Sequence, residues 1–161
     1  MIPYRCGDFS AELAIQNGYS LEQVEFVEGL KRDYADFRYR MGRKFTFRPP
    51  RTVVLGPPEP FLELLILHEV SHGICGHKDF RMDVMRLKME VQAWERAKGL
   101  ASQYGIEVNE ELIQEELDTY REWLHQKSRC PQCGLTRYQT MDSLYHCPRC
   151  ESLGYAGTRT Q

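Results

Sequence analysis

Two groups of residues in this 161-residue sequence are spaced for metal chemistry. The first is His68-Glu69-Val70-Ser71-His72. On a helix, residues i and i+4 share a face, so both imidazoles can reach one zinc ion. Zinc lowers the pKa of a water it holds from about 15.7 towards about 7, and a neighbouring carboxylate can take that water's proton as it attacks a carbonyl. Glu69 is placed for that role, and it can pass the proton on to a leaving amine. The bland alternative is a pair of core or solvated histidines. Buried helices seldom carry His-Glu-His without a compensating partner, which favours the metal.

A catalytic zinc usually takes three protein ligands and keeps one position open. Two residues qualify as the third. Glu90 lies eighteen positions after His72, in the next helical stretch, with Ala93 and Ala97 at i+3 and i+7 on its face. Small residues there let two helices approach closely. His77 follows His72 by five residues, beyond Gly76, where a turn can swing it back. A ligand ten residues after His68 would be Lys78, which disfavours the metzincin pattern.

The second group is Cys130-Pro-Gln-Cys133 and Cys147-Pro-Arg-Cys150, with thirteen residues between the pairs. Two CxxC knuckles offering four thiolates form a closed tetrahedral site, structural rather than catalytic. Such a zinc contributes about 10–16 kcal/mol of apparent binding free energy, enough to fold a module with almost no apolar core. Arg129, Arg137, Arg149 and Arg159 interleave with Tyr138, Tyr145 and Tyr155. That mixture can hold nucleic acid, and it can equally be a solvated face around a small core. Cys6 and Cys75 fit reduced thiols better than a bridge.

The elements that must position these groups follow from local patterns. A short helix fits residues 8–17. Ser20, with Gln23 three residues on, reads as a capping box. Leu21, Val24, Val27, Leu30, Tyr34, Phe37 and Met41 predict one amphipathic helix over residues 21–41, closed by Gly42. Strands are expected over Lys44–Arg48 and Arg51–Leu55, either side of Pro49-Pro50. Arg51–Leu55 is a candidate edge for pairing an extended peptide. A buried helix is expected from about Pro60 to Cys75, then helices over about 79–104 and 110–126, the last capped by Asn109. Composition changes at 127/128. Tyr104, Tyr120, Tyr138 and His125 could donate to an oxyanion, but nothing singles one out and none is assigned.

Two family resemblances bear on the third ligand. His68 to His77 (HEVSHGICGH) resembles the zinc helix of the ImmA/IrrE family of gluzincin peptidases, and Glu90-Val-Gln-Ala93-Trp94-Glu95-Arg96-Ala97 resembles that family's later Glu- and Ala-rich helix. The likeness covers roughly residues 50–105. It implies ligands His68, His72 and Glu90, with Glu69 as catalytic base and His77 behind them. The usual Asn-x-Phe-Ala continuation is replaced here by Trp94-Glu95-Arg96-Ala97. Gly76-His77-Lys78-Asp79-Phe80, with Met85 and Leu87 behind it, is also similar to the Gly-His-x-x-Phe segment of SprT-type proteases. That likeness implies His77 as third ligand and a nucleic-acid role for the ribbon.

The expectation is an α+β chain: a mostly helical zincin-like domain with a small sheet at 1–127, and a zinc ribbon at 128–161. It would carry two zinc ions and hydrolyse a peptide bond in a protein substrate; the ImmA/IrrE likeness implies a regulatory one. The alternatives are a SprT-like protease acting on DNA-associated proteins, and a non-catalytic zinc-stabilised binding module. A formal net charge of −2 argues against a chain built mainly to coat nucleic acid. Residues 1–120 hold 15 Lys/Arg and 20 Asp/Glu, and residues 121–161 hold 6 and 3, so body and tail differ in sign. No signal-like N-terminus or membrane-length apolar run is seen, so a cytoplasmic protein without membrane partners is expected.

Overall fold

The computed structural model describes residues 4–151 and 153–154. Tyr155 and Arg159, read above as parts of the ribbon, lie outside the described residues. The chain is a mixture of helix and small sheets. It forms two compact units: residues up to Lys78 with Gln92–Asn109, and Asp79–Val91 with the residues from Glu110 on. This division follows packing, whereas the change at 127/128 is one of composition.

In the first unit, β1 (Gly7–Asp8) leads into α1 (Ala11–Gln16) and α2 (Leu21–Asp33). Ser10 caps α1, its side chain accepting from the Leu13 amide. Ser20 and Gln23 form the complete capping box on α2. The strands β2 (Arg38–Met41), β3 (Thr46–Arg48) and β4 (Thr52–Leu55) follow. The sheet order is β1-β2-β4-β3, with β2 parallel to β4 and the other pairs antiparallel.

Two expectations are corrected here. The helix expected over 21–41 stops at Asp33, and Arg38–Met41 is a strand with exposed and buried residues alternating. Phe37 and Met41 fit a period of four as well as a period of two, and Tyr39 between them decides for the strand. Its side chain is buried and its hydroxyl donates to Leu30 O at 3.3 Å. Gly42 does not close a helix. A Cβ there would collide with the Val54 side chain, so glycine permits a close approach to β4. The second correction concerns Arg51–Leu55: β4 lies between β2 and β3, so it presents no free edge, and the outer strand on that side is β3.

The inner side of the sheet carries Tyr39, Met41, Val53, Leu55 and Phe47 by register. Helix α3 (Leu62–Ile74) packs against β4 and β3. Leu62, Leu64, Ile66, Leu67 and Val70 are at most 1% exposed, and each such side chain contributes about 1.5–3 kcal/mol on burial. Gly73 lies where α3 meets two rings. A Cβ there would come within 2.9 Å of Phe47 Cε2 and closer still to Phe37. Gly73→Ala gains up to about 1 kcal/mol of helix propensity, but overpacking costs about 1–3 kcal/mol. A lowered melting temperature in a thermal scan is therefore expected.

Helix α4 (Asp83–Tyr104) is unbroken, its first part in the second unit and its remainder in the first. Ala93, Trp94, Ala97, Leu100 and Ala101 form its buried stripe in the first unit. Gly105 ends it at φ +67, a left-handed conformation that glycine adopts without strain. In the second unit, α5 (Glu110–Ser128) precedes a three-stranded antiparallel sheet of β5 (Tyr138–Gln139), β6 (Tyr145–His146) and β7 (Leu153–Gly154).

Candidate metal centres

The apolar run before His68 makes α3 a buried helix, so its histidines are buried too: His68 is 6% and His72 8% exposed. One turn apart, their Nε2 atoms face each other at 3.1 Å. Two nitrogens bound to one tetrahedral zinc at 2.0–2.1 Å lie about 3.3 Å apart, so this pair fits the ion. Glu90, 7% exposed on α4, completes the group: ligand atoms of His68, His72 and Glu90 all lie within 4.8 Å of one another. Glu90 stands one turn before Ala93 and Trp94, on the stripe by which α4 is buried. Glu69 is half-buried on the same helix as the two histidines.

His77 is outside this group. Helix α3 ends in a Schellman turn: Gly76 is left-handed at φ +69, the Gly76 amide donates to Gly73 O at 3.1 Å, and the His77 amide donates to His72 O at 3.0 Å. That turn does swing the ring back, but onto the far side of His72. His77 Nδ1 lies 2.8 Å from His72 Nδ1, and His77 Nε2 lies 3.0 Å from Gln92 Oε1. The amide oxygen can only accept, so His77 Nε2 carries a proton, and in the neutral ring its Nδ1 accepts. His72 Nδ1 is then the donor, and the lone pair on His72 Nε2 points at the metal position. Gln92 thus sets the tautomer of a candidate metal ligand through one intervening ring, the arrangement by which outer partners orient metal-bound histidines.

Three further side chains shape the site. Trp94 stacks on His68 with ring centroids 4.0 Å apart, and Phe47 lies parallel to His72 at 6.3 Å. These rings limit rotation of both imidazoles. Tyr120 of α5 exchanges side-chain hydrogen bonds with Glu90 and Arg86, and burial followed by the Glu90 charge pushes its phenol up to about 12. Gln92, Trp94 and Phe47 carry no motif. The one sequence signal for the first two is their place just after Glu90. Tyr104 donates to Asp33 at 2.5 Å instead.

In the second unit the four cysteines converge, with ligand sulfurs within 4.8 Å of one another and Cys133 Sγ 3.5 Å from Cys147 Sγ. Tetrahedral Zn–S bonds of 2.3 Å give about 3.8 Å, so this donor set fits zinc as well. The two knuckles match. Gly134 and Glu151, each four residues after the first cysteine of its pair, are both left-handed, and their amides donate to Cys130 O and Cys147 O. Arg137 and Tyr145, read as a basic and an aromatic contact, are interior: Arg137 donates to Lys127 O at 3.0 Å and Tyr145 to Asp83 at 2.7 Å. Arg129, Arg149 and Tyr138 are exposed. Cys6 is exposed and Cys75 half-buried, both as free thiols, and burial raises the Cys75 pKa.

No family model matches the chain, and no characterised protein or solved structure matches it significantly. Among the described residues, no helix is long and apolar enough to cross a membrane.

Proposed function

We propose that the chain is a zinc-dependent peptidase whose residues 1–127 form a zincin-like domain, in keeping with its resemblance to ImmA/IrrE gluzincins. The observation that carries this reading is the buried His68, His72 and Glu90 group, with Glu69 beside it in the HExxH pattern. Zinc held there would supply a Lewis acid that brings a water's pKa near neutrality. His68, His72 and Glu90 would hold the ion, leaving one position for the reacting group. The Glu69 carboxylate removes the water's proton during attack on the scissile carbonyl and returns it to the leaving nitrogen. His77 and Gln92 keep His72 in the ligating tautomer. Protein substrates, rather than free small molecules, follow from the resemblance alone.

The test is hydrolysis of a quenched-fluorescent peptide library by wild type and by Glu69→Gln. Removing a general base lowers turnover by about 10²–10⁴-fold. Glu69→Gln should lose turnover at that scale while retaining zinc at the helical site. Equal turnover in both proteins removes the peptidase reading and leaves the site a structural one.

A further inference from the structure

The strongest segregation of charge in the chain lies outside both metal centres. Residues 37–58 contain six basic side chains, Arg38, Arg40, Arg43, Lys44, Arg48 and Arg51, and no acidic one. In the rest of the first 120 residues, nine Lys/Arg are set against 20 Asp/Glu. The register of the sheet turns this run into a face. Arg38, Thr52 and Arg48 are cross-strand partners, and Arg40, Val54 and Thr46 form the next row. Successive residues point to opposite sides of a strand, so these two rows share the side opposite Tyr39, Val53 and Phe47 where pairing alternates between them. Arg38, Arg40 and Arg48 are exposed, as are Arg43 and Lys44 in the turn between β2 and β3. A cleft of about 360 Å³ opens there, lined by Arg40, Arg43, Lys44, Thr46 and Arg48.

Among the described residues, the charges are only partly answered. Arg40 meets Asp8 at 3.1 Å, an exposed pair of the kind that contributes little. Arg51 is engaged elsewhere, with Asp36 at 2.8 Å and the Phe37 ring at 5.1 Å. Four cations around one cleft repel each other, and an anion placed among them relieves that repulsion. Protein interfaces are depleted in lysine and in charge at their centres, whereas nucleic-acid interfaces are much more positive. The strand aromatics Tyr39 and Phe47 lie on the other side of the sheet, so this side has no strand-borne ring on which a base could stack. Single-strand binders rely on such stacking, and duplex backbones do not need it.

We propose that this outer sheet face binds the phosphate backbone of double-stranded nucleic acid without reading its sequence, one phosphate seating in the Arg40–Arg43–Lys44–Arg48 cleft. The site is separate from the peptidase chemistry and does not depend on it.

The experiment is fluorescence anisotropy of the full-length protein with a labelled DNA duplex of mixed sequence, across a salt series. About four phosphate contacts give a slope of log affinity against log salt near −3.6, at about 0.9 per contact. Arg40→Ser/Arg43→Ser/Lys44→Ser should weaken binding at least about tenfold at low salt and bring the slope to about −1. Arg43→Ser/Lys44→Ser, confined to an exposed turn, should give about two thirds of that slope change, to near −1.8, and guards against a folding defect in the triple variant. Glu69→Gln should bind as wild type. Unchanged duplex affinity in the triple variant overturns the proposal. So does loss of binding in Arg129→Ser/Arg149→Ser, which would move the contact to the ribbon. Tighter binding of single strands or of a polyglutamate peptide than of duplex overturns it equally.

Discussion

Stripping the metal from the four cysteines is expected to unfold the three-stranded sheet that follows α5. Each of its strands is two residues long, and its apolar core is little more than Tyr145. A sheet so short is not stable by its own pairing. Polar attachments within its unit include Tyr145 to Asp83 at 2.7 Å, Arg137 to Lys127 O at 3.0 Å, Gln139 Oε1 accepting from the Asp83 amide at 2.6 Å, and Ser143 to Arg81 O at 3.0 Å. Net contributions of such bonds are about 0.5–1.5 kcal/mol each, against about 10–16 kcal/mol for a structural zinc. A zinc held by the four cysteines would therefore dominate. Hydrogen exchange after chelation, or in Cys147→Ser, should show the Arg137 and Thr140 amides losing protection by orders of magnitude. Those amides donate to Ser128 O at 2.7 Å and Leu144 O at 2.9 Å. Amides of α2, in the other unit, should keep theirs. Retained protection at Arg137 and Thr140 in protein shown to be metal-free would mean that hydrogen bonding and packing suffice.

What was legible in the sequence divides along physical lines. Short-range chemistry read through: the Ser20–Gln23 capping box, the buried character of the helix around His68 and the CxxC spacing each depend on neighbours in the chain. The apolar pattern runs helix α2 too far because Phe37 and Met41 satisfy both periodicities, and only the pairing of Arg38–Met41 with β4 decides between them. The same pairing places β4 inside the sheet, since a parallel partner across a crossover leaves no mark in either strand's sequence. Gly42 shows the ambiguity of a single residue, a helix stop by local rule and a point of close approach in the fold. At the site, Glu90 was visible through the small residues after it. Gln92 was not, because an amide acts there only through a ring that a Schellman turn has folded back. The basic sheet face lay in plain view as a run of charge, but which side of the sheet it occupies needed the register.

Glu90→Ala should empty the helical metal site, and His77→Ala should weaken it without emptying it. In the first variant a buried ligand is lost outright, and two imidazoles alone hold zinc poorly against competing chelators. Metal analysis of purified protein should give two zinc ions per chain for wild type and one for Glu90→Ala. In His77→Ala both ligating Nε2 atoms remain, but His72 Nδ1 loses its 2.8 Å partner and the ligating tautomer is no longer enforced. Loss of such an outer partner costs about 10–100-fold in metal affinity. Two ions at high zinc, with the weaker one surrendered early in a chelator titration, is the expected result. Gln92 separates this relay from simple packing. Gln92→Leu keeps the bulk but removes the acceptor at 3.0 Å from His77 Nε2, and should weaken the site as His77→Ala does. Gln92→Glu keeps an acceptor and should hold zinc at least as tightly as wild type. If His77→Ala instead removes the ion while Glu90→Ala retains it, His77 is the third ligand. The SprT-like assignment then replaces the ImmA/IrrE-like one, and the tautomer relay fails with it.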